Sequence, residues 1–251
     1  MIQFTCSSFI DWSNDWQSIS SLLLSSAEHT RLESIRRTSR KKQFLAGRLL
    51  ARTLLAEQFG CFPQELELDA NRPSVAYLAG APLANLSISH TSDYLAVTVS
   101  KAPIGIDCER SYPIRNWLDI AQNYFSSYEV SWLRQQPAHL LEKGFMSIWT
   151  AKEALAKCSG HDFGKLLAVS SPVGERENWP EPYSSYRCWQ GKTQESTYLC
   201  LVVKPNTNFT PSVLTGTYRT SFDDRVTREI RLRAMPSSAN PLMIRNQGVY
   251  K

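Results

Sequence analysis

Apolar residues recur at helical spacing in three stretches of the chain. The first predicts one or two helices over residues 25–59, with Gly60 as the stop. The second predicts a helical region over residues 117–134, and the third predicts a helix over residues 143–158, which Gly160 ends. These helices lie on both sides of a stretch with a different hydrophobic period.

In the rest of the chain, short apolar stretches with β-branched residues are bounded by turn residues, which is typical of strands. Strands are predicted at residues 86–89, 94–99 and 104–109, and a hairpin at residues 183–189 and 197–203 around Gly191 and Lys192. Residues around 66–83 are predicted as loop because turn-forming triplets interrupt them. Beyond about residue 205 the pattern fades, which predicts a mostly disordered tail. The order of elements predicts an α+β chain built in two halves.

The composition limits the possible functions more than the possible folds. The chain has 251 residues and is 42% hydrophobic, which is enough for a core. Its net charge of +5 is small, whereas a nucleic-acid binder usually carries a dense basic patch. This charge suits a phosphate-rich small molecule or an acidic protein partner, although solubility alone would also account for it.

The cysteines and the apolar runs bear on location. Six cysteines without C-x-x-C spacing argue against a zinc site and predict free thiols in a reducing compartment. The N-terminal segment is a poor signal peptide, and no apolar run approaches the length of a membrane span. A cytoplasmic protein without a membrane partner is therefore expected.

Asp107 and Glu109 stand two residues apart in a predicted strand, so their side chains point the same way. Two carboxylates this close repel each other unless one is protonated or a cation lies between them. A hard divalent ion such as Mg²⁺ binds carboxylates, waters and substrate phosphates, and it fits this pair. The alternative is an exposed strand face with two solvated acids, because the D-x-E pattern is common.

The predicted helix around Trp149 places Lys152 in the middle of its apolar face. A lysine there is costly unless it snorkels or meets an anion. Glu153 and Lys157 stand four residues apart at the edge of the same face. They form either a surface ion pair or part of a site. In the site, Glu153 is a third metal carboxylate, and Lys152 and Lys157 face phosphates or a reacting hydroxyl.

Basic residues also occur on the first predicted helix, which is apolar over much of its circumference. Lys41, Arg48 and Arg52 share one stripe of this helix. Arginine suits phosphate through its planar fork, so the stripe indicates either phosphate contacts or internal ion pairs. Gly47 would allow close approach of another element.

Ser89-His90-Thr91 follows a predicted strand, where two hydroxyls and an imidazole can hold a phosphate. The alternative is a structural histidine, which is the more common role. Arg72, before Pro73, is a further candidate for an anion contact.

The order of these motifs is more specific than any one of them. The chain carries a basic Gly-Arg helix, an Arg-Pro turn, a strand ending in Ser-His, a Gly-Ile-Asp-x-Glu strand and a Trp-x-x-Lys-Glu-Ala-x-x-Lys helix. This order resembles the 4'-phosphopantetheinyl transferase superfamily, within it the monomeric surfactin-synthetase-type branch, over roughly residues 31–157. The resemblance implies a monomer of two similar α/β halves related by pseudo-twofold symmetry, with the site between them.

The resemblance also implies a reaction. The 4'-phosphopantetheine of coenzyme A would pass to a serine of an acidic acyl carrier protein or peptidyl carrier domain, releasing adenosine 3',5'-bisphosphate. Mg²⁺ is the implied metal, with Mn²⁺ as a substitute. Residues 1–104 would form the coenzyme A-binding half, residues 105–205 the half with metal and catalytic residues, and residues 206–251 an extension.

Matching positions carry the family's roles over one residue at a time. Asp107, Glu109 and Glu153 match the metal-binding acids, and Glu153 is also the general base. Lys157 matches a lysine implicated in proton transfer or phosphate contact. The residues implied to contact coenzyme A are Arg40, Arg48, Arg72, Ser89, His90, Thr91 and Lys152.

The chain departs from the family pattern at a few positions. It has Leu86-Ser87 where the family often has Phe-Asn, Thr91 in place of serine, and Asn71 in place of glycine. None of these changes removes a charged catalytic group, but they leave coenzyme affinity and carrier choice open.

Two other functions would use the same features. A metal-dependent nuclease or phosphatase would use the three acids with water as the nucleophile, and would hydrolyse its substrate without a carrier protein. A non-catalytic module that binds coenzyme A or an acidic carrier would keep its partner after Asp107→Ala.

Overall fold

The computed structural model describes residues 2–8, 23–70, 74–111, 116–193, 196–205, 213–219 and 228–234. These residues mix helices and strands, so the α+β class is confirmed. The helices are α1 Ser26–Ser34, α2 Thr38–Phe59, α3 Trp117–Tyr124, α4 Ser127–Arg134, α5 Leu141–Ser159 and α6 Phe163–Leu166. The strands are β1 Ile2–Ser8, β2 Leu66–Leu68, β3 Val75–Leu78, β4 Ala81–His90, β5 Tyr94–Ser100, β6 Ile104–Arg110, β7 Arg187–Lys192, β8 Thr197–Val203, β9 Val213–Arg219 and β10 Arg228–Ala234.

The ends of the helices follow local sequence signals. α1 begins with a capping box, in which Ser25 Oγ accepts from the Glu28 amide and the Glu28 carboxylate accepts from the Ser25 amide. α2 and α5 end at Gly60 and Gly160, whose φ angles of 67° and 73° are left-handed. Both predicted stops are confirmed. No helix in the described part of the chain is long and apolar enough to cross a bilayer.

The described strands form one sheet in the order β2-β3-β4-β5-β1-β9-β10-β7-β8-β6. Neighbouring strands are antiparallel, except for β1 and β9, which are parallel. β6, which carries the predicted acids, ends this order and pairs with β8. The other edge of β6 lies beside β4. β4 and β6, which carry most of the predicted site, therefore lie side by side without a backbone ladder between them.

Helices pack on the sheet at two places. α2 covers β4 and β5 through leucines such as Leu50 and Leu55. α5 covers β6 and β8, where Leu155 packs with Val202. Apolar burial on this scale is the main favourable term in folding.

Residues around 66–83 contain strands rather than the predicted loop. β2 and β3 pair with each other, and β3 joins β4 through Ala79 and Gly80, whose φ angles are 49° and 76°. Two left-handed residues in succession match the twist of a tight hairpin. The glycine that indicated a loop therefore belongs to a two-residue turn, while residues 71–73 lie outside the described part of the chain.

The predicted hairpin forms between Arg187–Lys192 and Thr197–Val203, but its turn lies after Lys192 and not around Gly191 and Lys192. Both residues pair within the ladder, with Leu199 and Tyr198 respectively. The Lys192 ammonium lies 4.4 Å from the centroid of the Tyr198 ring, a cation–π contact that favours Lys192 within the strand.

The stretch after residue 205 contributes two strands to the middle of the sheet, where the sequence pattern indicated a tail. β9 pairs with β1, and β10 pairs with β7. Both pairings join segments far apart in the chain, which local periodicity does not reveal. The other residues of 206–251 lie outside the described ranges.

Candidate active site

α5 lies directly on the backbone of β6 because Gly105 has no side chain. A Cβ atom at this position would collide with the Ala154 carbonyl oxygen and lie 2.6 Å from the Cys158 amide nitrogen. Such distances to backbone atoms exclude every residue larger than glycine unless the helix moves. Close approach here brings Glu153 and Lys157 of α5 to the acids of β6.

Lys157 connects the acid strand to β4. Its Nζ lies 2.7 Å from Asp107 Oδ1 and 2.9 Å from Ser89 Oγ, and the Ser89 hydroxyl donates to the same Asp107 oxygen at 2.8 Å. Burial alone would lower the pKa of Lys157, but Asp107, followed by Cys108 and Glu153, raises it above its ordinary value. The Lys157 side chain is therefore charged at neutral pH, and at 31% exposed it can also reach a ligand.

The carboxylates where α5 meets β6 are not fully neutralised by the ammonium beside them. Burial, then the charges of Asp107 and Glu153, raise the pKa of Glu109 to about 7. Burial and then Asp107 also raise the pKa of Glu153. Asp107 Oδ2 is buried without a hydrogen-bond partner among the described residues. Three acids and one ammonium leave a net negative charge.

This donor set fits a hard divalent cation, although the described residues hold no His, Cys, Asp or Glu group already arranged as a metal cluster. Carboxylate oxygens are the preferred ligands of Mg²⁺, and the unpartnered Asp107 oxygen is free to take that role. A cation here would also relieve the repulsion that raises the pKa of Glu109. Asp107, Glu109 and Glu153 are therefore the residues that could hold the metal.

Arg40 and His90 contact each other beside these acids. Arg40 Nη1 lies 3.3 Å from His90 Nδ1 and also contacts Nε2. Burial, then the charges of Arg40 and Lys157, lower the pKa of His90 to about 4. His90 is thus a neutral ring beside two cations at pH 7. This combination is suited to an anionic ligand.

Thr91 lies in the same segment, but its hydroxyl is used within the β4–β5 turn. It donates to Asp93 Oδ1 at 3.1 Å and accepts from the Tyr94 amide at 3.0 Å. Asp93 in turn forms an ion pair with Arg110. The structure does not bring the Thr91 hydroxyl to the acids.

Lys152 points away from the acids and is fully buried. Its ammonium lies 3.0 Å from Glu129 Oε2 and donates to the carbonyl oxygens of Leu167, at 2.7 Å, and Val169. Burial lowers the pKa of Lys152, and Glu129 opposes that shift. Lys152 has therefore found an anion inside the protein, and the structure does not bring it to the predicted coenzyme contacts.

Arg48 is also turned inward. It donates to the carbonyl oxygens of Asp69 and Ala70 at 2.6 and 2.9 Å. Its guanidinium lies 3.5 Å from Glu28, which pairs more closely with Arg52 at 2.6 Å. Arg48 and Arg52 therefore form internal ion pairs, which was the alternative to phosphate contacts for the basic stripe. Arg72 lies outside the described residues.

Sequence reasoning missed three residues of this region. The Trp149 indole lies close to Glu109 and opposes the rise in the pKa of that carboxyl, although its helical position indicated only an apolar contact. Ser87 lies beside β6, and its spacing of two from Ser89 on one strand was the available signal. Glu129, the partner of Lys152, is the fourth residue of a Ser-x-x-Glu capping box, a pattern that the sequence does display.

Comparisons with known proteins define the class to which this fold and site belong. The sequence model of the 4'-phosphopantetheinyl transferase superfamily matches residues 103–214, which contain Asp107, Glu109, Glu153 and Lys157. The chain belongs to this superfamily.

Three relatives indicate how far the likeness extends. The 4'-phosphopantetheinyl transferase AcpT of Salmonella typhimurium is 31% identical over 53% of this chain and 67% of its own length. A Synechocystis sp. relative named for the same transferase is 33% identical over 55% of this chain and 57% of its own. The 4'-phosphopantetheinyl transferase psf-1 of Bacillus pumilus is 30% identical over 47% and 50%. The match thus spans about half the length of the last two relatives.

Proposed function

We propose that this protein transfers the 4'-phosphopantetheine group of coenzyme A to a serine of an apo acyl carrier protein or peptidyl carrier domain. The observation that carries the proposal is the meeting of Asp107 and Glu109 with Glu153 and Lys157, across the contact that Gly105 permits. These residues lie in the segment that matches the transferase superfamily. Relatives named as 4'-phosphopantetheinyl transferases support the same reaction.

Asp107, Glu109 and Glu153 would hold Mg²⁺ or Mn²⁺, which would neutralise charge on the pyrophosphate of coenzyme A. The unpartnered Asp107 oxygen and the raised pKa of Glu109 support this assignment. Trp149, whose indole lies close to Glu109, would help to orient this carboxylate.

Arg40, Ser89 and His90 would bind the phosphates of coenzyme A. The contact between Arg40 and His90, and the position of Ser89 beside Lys157, support a shared anion site. Arg72 keeps its predicted role as a phosphate contact. Arg48, Thr91 and Lys152 are proposed to act structurally instead, because their polar groups are engaged within the protein.

In the proposed reaction, the carrier serine hydroxyl attacks the β-phosphorus of coenzyme A. Glu153, directly or through a water molecule, accepts the hydroxyl proton. The bond from the β-phosphorus to the bridging oxygen breaks, and adenosine 3',5'-bisphosphate leaves with the bond electrons. Lys157 would donate a hydrogen bond to the departing phosphate.

We also propose that the protein is a monomer with two related halves, joined near Ile104. The packing of α2 on β4 and β5, and of α5 on β6 and β8, supports two comparable layers. An acidic carrier protein would be attracted by the net charge of +5. None of the six cysteines, all of which lie in the described ranges, forms a disulfide, which suits the cytoplasm.

The test is the intact mass of an apo acyl carrier protein after incubation with this protein, coenzyme A and MgCl₂. We expect a gain of one phosphopantetheine, abolished by EDTA and by Glu153→Ala, while the exposed Glu33→Ala serves as the control that retains activity. An apo peptidyl carrier domain is the second substrate. If coenzyme A were cleaved without a carrier, the hydrolase alternative would replace the transferase. Binding without cleavage or transfer would favour the binding module.

A further inference from the structure

β6 is held on two sides by different kinds of hydrogen bond. On one side it forms a regular antiparallel ladder with β8. On the other side it faces β4 without a backbone ladder between the two strands. The backbone amides on this open edge need other acceptors, because a buried unpaired amide is costly.

Two serines of β4 supply those acceptors. Ser87 Oγ accepts from the Ile106 amide at 3.0 Å, and Ser89 Oγ accepts from the Cys108 amide at 3.3 Å. Side chains two apart on a strand share a face, and amides two apart on a strand share an edge. The spacing of the serines therefore matches the spacing of the amides. Both serines are nearly buried, with 5% and 6% of their surfaces exposed.

The two amides flank Asp107 on either side in the sequence. Ser89 also touches Asp107 and Lys157 directly, and so it already belongs to the proposed site. Ser87 has a simpler position, because within the described ranges its side chain bonds to the acid strand only at the backbone amide of Ile106. Any effect of Ser87 on the acids must pass through the strand.

We infer that Ser87 is a positioning residue, which fixes β6 against β4 and so sets the direction of the Asp107 carboxylate. The inference rests on the proposed function, in which Asp107 is a metal ligand. Loss of a hydrogen bond that orients a ligand typically weakens metal binding. A net hydrogen bond of about 1 kcal/mol corresponds to a change of roughly fivefold in an equilibrium constant.

The test compares Ser87→Ala with Ser100→Ala. Ser100 is also a buried strand serine whose hydroxyl accepts from a backbone amide, that of Ala102 at 3.0 Å, but it has no contact with the acids. Mg²⁺ affinity is measured by calorimetry on each protein without coenzyme A, and amide hydrogen exchange at Ile106 is followed in parallel.

We expect Ser87→Ala to weaken Mg²⁺ binding by about five- to tenfold and to speed exchange at Ile106. Ser100→Ala should change Mg²⁺ affinity by less than about twofold. Equal affinity in Ser87→Ala and the wild type would overturn the inference, as would an equal loss in both variants. A wild-type protein that modifies the carrier without binding Mg²⁺ would overturn the metal assignment and this inference with it, but not the transfer reaction.

Discussion

Buried charges occur in two settings in this protein, one balanced and one unbalanced. In the balanced setting, Glu129 and Lys152 are both fully buried and pair at 3.0 Å. The remaining Glu129 lone pairs accept from the amides and hydroxyls of Ser126 and Ser171. Glu28 forms a second buried contact of opposite charges, with Arg52 at 2.6 Å and Arg48 at 3.5 Å. In the Glu129–Lys152 pair, the cost of removing charge from water is offset by a partner of opposite sign and by neutral donors.

The junction of β6 and α5 is the unbalanced setting. There, three carboxylates face one ammonium, and one buried oxygen has no partner in the described part of the chain. The pKa of Glu109 and that of Glu153 rise as a result of burial and mutual repulsion. Adjacent residues on α5, Lys152 and Glu153, thus belong to opposite settings. The difference teaches that an unsatisfied charge cluster, rather than burial of charge as such, marks the candidate site.

Breaking the balanced setting should have the largest effect on stability. Lys152→Met leaves Glu129 buried without its cation, and such a change costs about 3–5 kcal/mol. Urea unfolding monitored by tryptophan fluorescence measures it. The double variant Lys152→Met with Glu129→Gln should recover part of the loss, because no uncompensated charge remains.

The same variant decides between two roles for Lys152. If Lys152→Met kept the wild-type free energy of unfolding but bound coenzyme A more weakly, the lysine would contact the coenzyme, as the motif alone predicted. The expected result is the reverse, with unchanged coenzyme affinity in the folded fraction.

Separating the two elements of the unbalanced setting should have the next largest effect. In Gly105→Ala, the new methyl would collide with the Ala154 carbonyl and force α5 away from β6. We expect a loss of about 1–3 kcal/mol in stability from overpacking. Mg²⁺ affinity should fall by about tenfold or more, because Glu153 moves away from Asp107.

Gly47→Ala is the matched control for that variant. Its Cβ would lie 3.2 Å from a methyl group of Ile88, a side chain that can shift, and far from any backbone obstacle of the kind at Gly105. The stability of this variant should stay close to wild type, with Mg²⁺ affinity unchanged. Equal loss of Mg²⁺ affinity in both alanine variants would contradict the role given to the Gly105 contact.

Local patterns predicted the parts of this site that depend on period. Strand alternation put Asp107 and Glu109 on one face, and helical spacing put Glu153 beside Lys157. They did not reveal that Lys152 pairs with Glu129, because that partner comes from another helix. Nor did they indicate β9, whose place beside β1 depends on pairing across most of the chain. Through-space partners decide between a buried structural charge and a site charge, and a single sequence does not contain those distances.

The pH dependence of the metal-free protein sharpens the comparison, with the smallest expected effect. Glu109 has a pKa of about 7 in the folded protein, against an ordinary value of 4.5. Between these values the folded state binds more protons than the unfolded state, so this group makes stability fall as pH rises through that window, and the loss levels off above about pH 7. His90 acts oppositely between its lowered pKa of about 4 and its ordinary 6.5, since there the unfolded state binds more protons.

The difference between wild type and Glu109→Gln therefore isolates the carboxylate. In EDTA, the variant should gain stability relative to wild type as pH rises from about 5 to 8. Glu67→Gln, which changes an exposed strand glutamate, should show no such trend. With Mg²⁺ present the wild type should lose its disadvantage, because the cation favours the ionised carboxylate that repulsion disfavours. A difference that stayed constant across pH in EDTA would mean that Glu109 is ordinarily solvated, and the junction would then lack the charge imbalance that distinguishes it from the Lys152 pair.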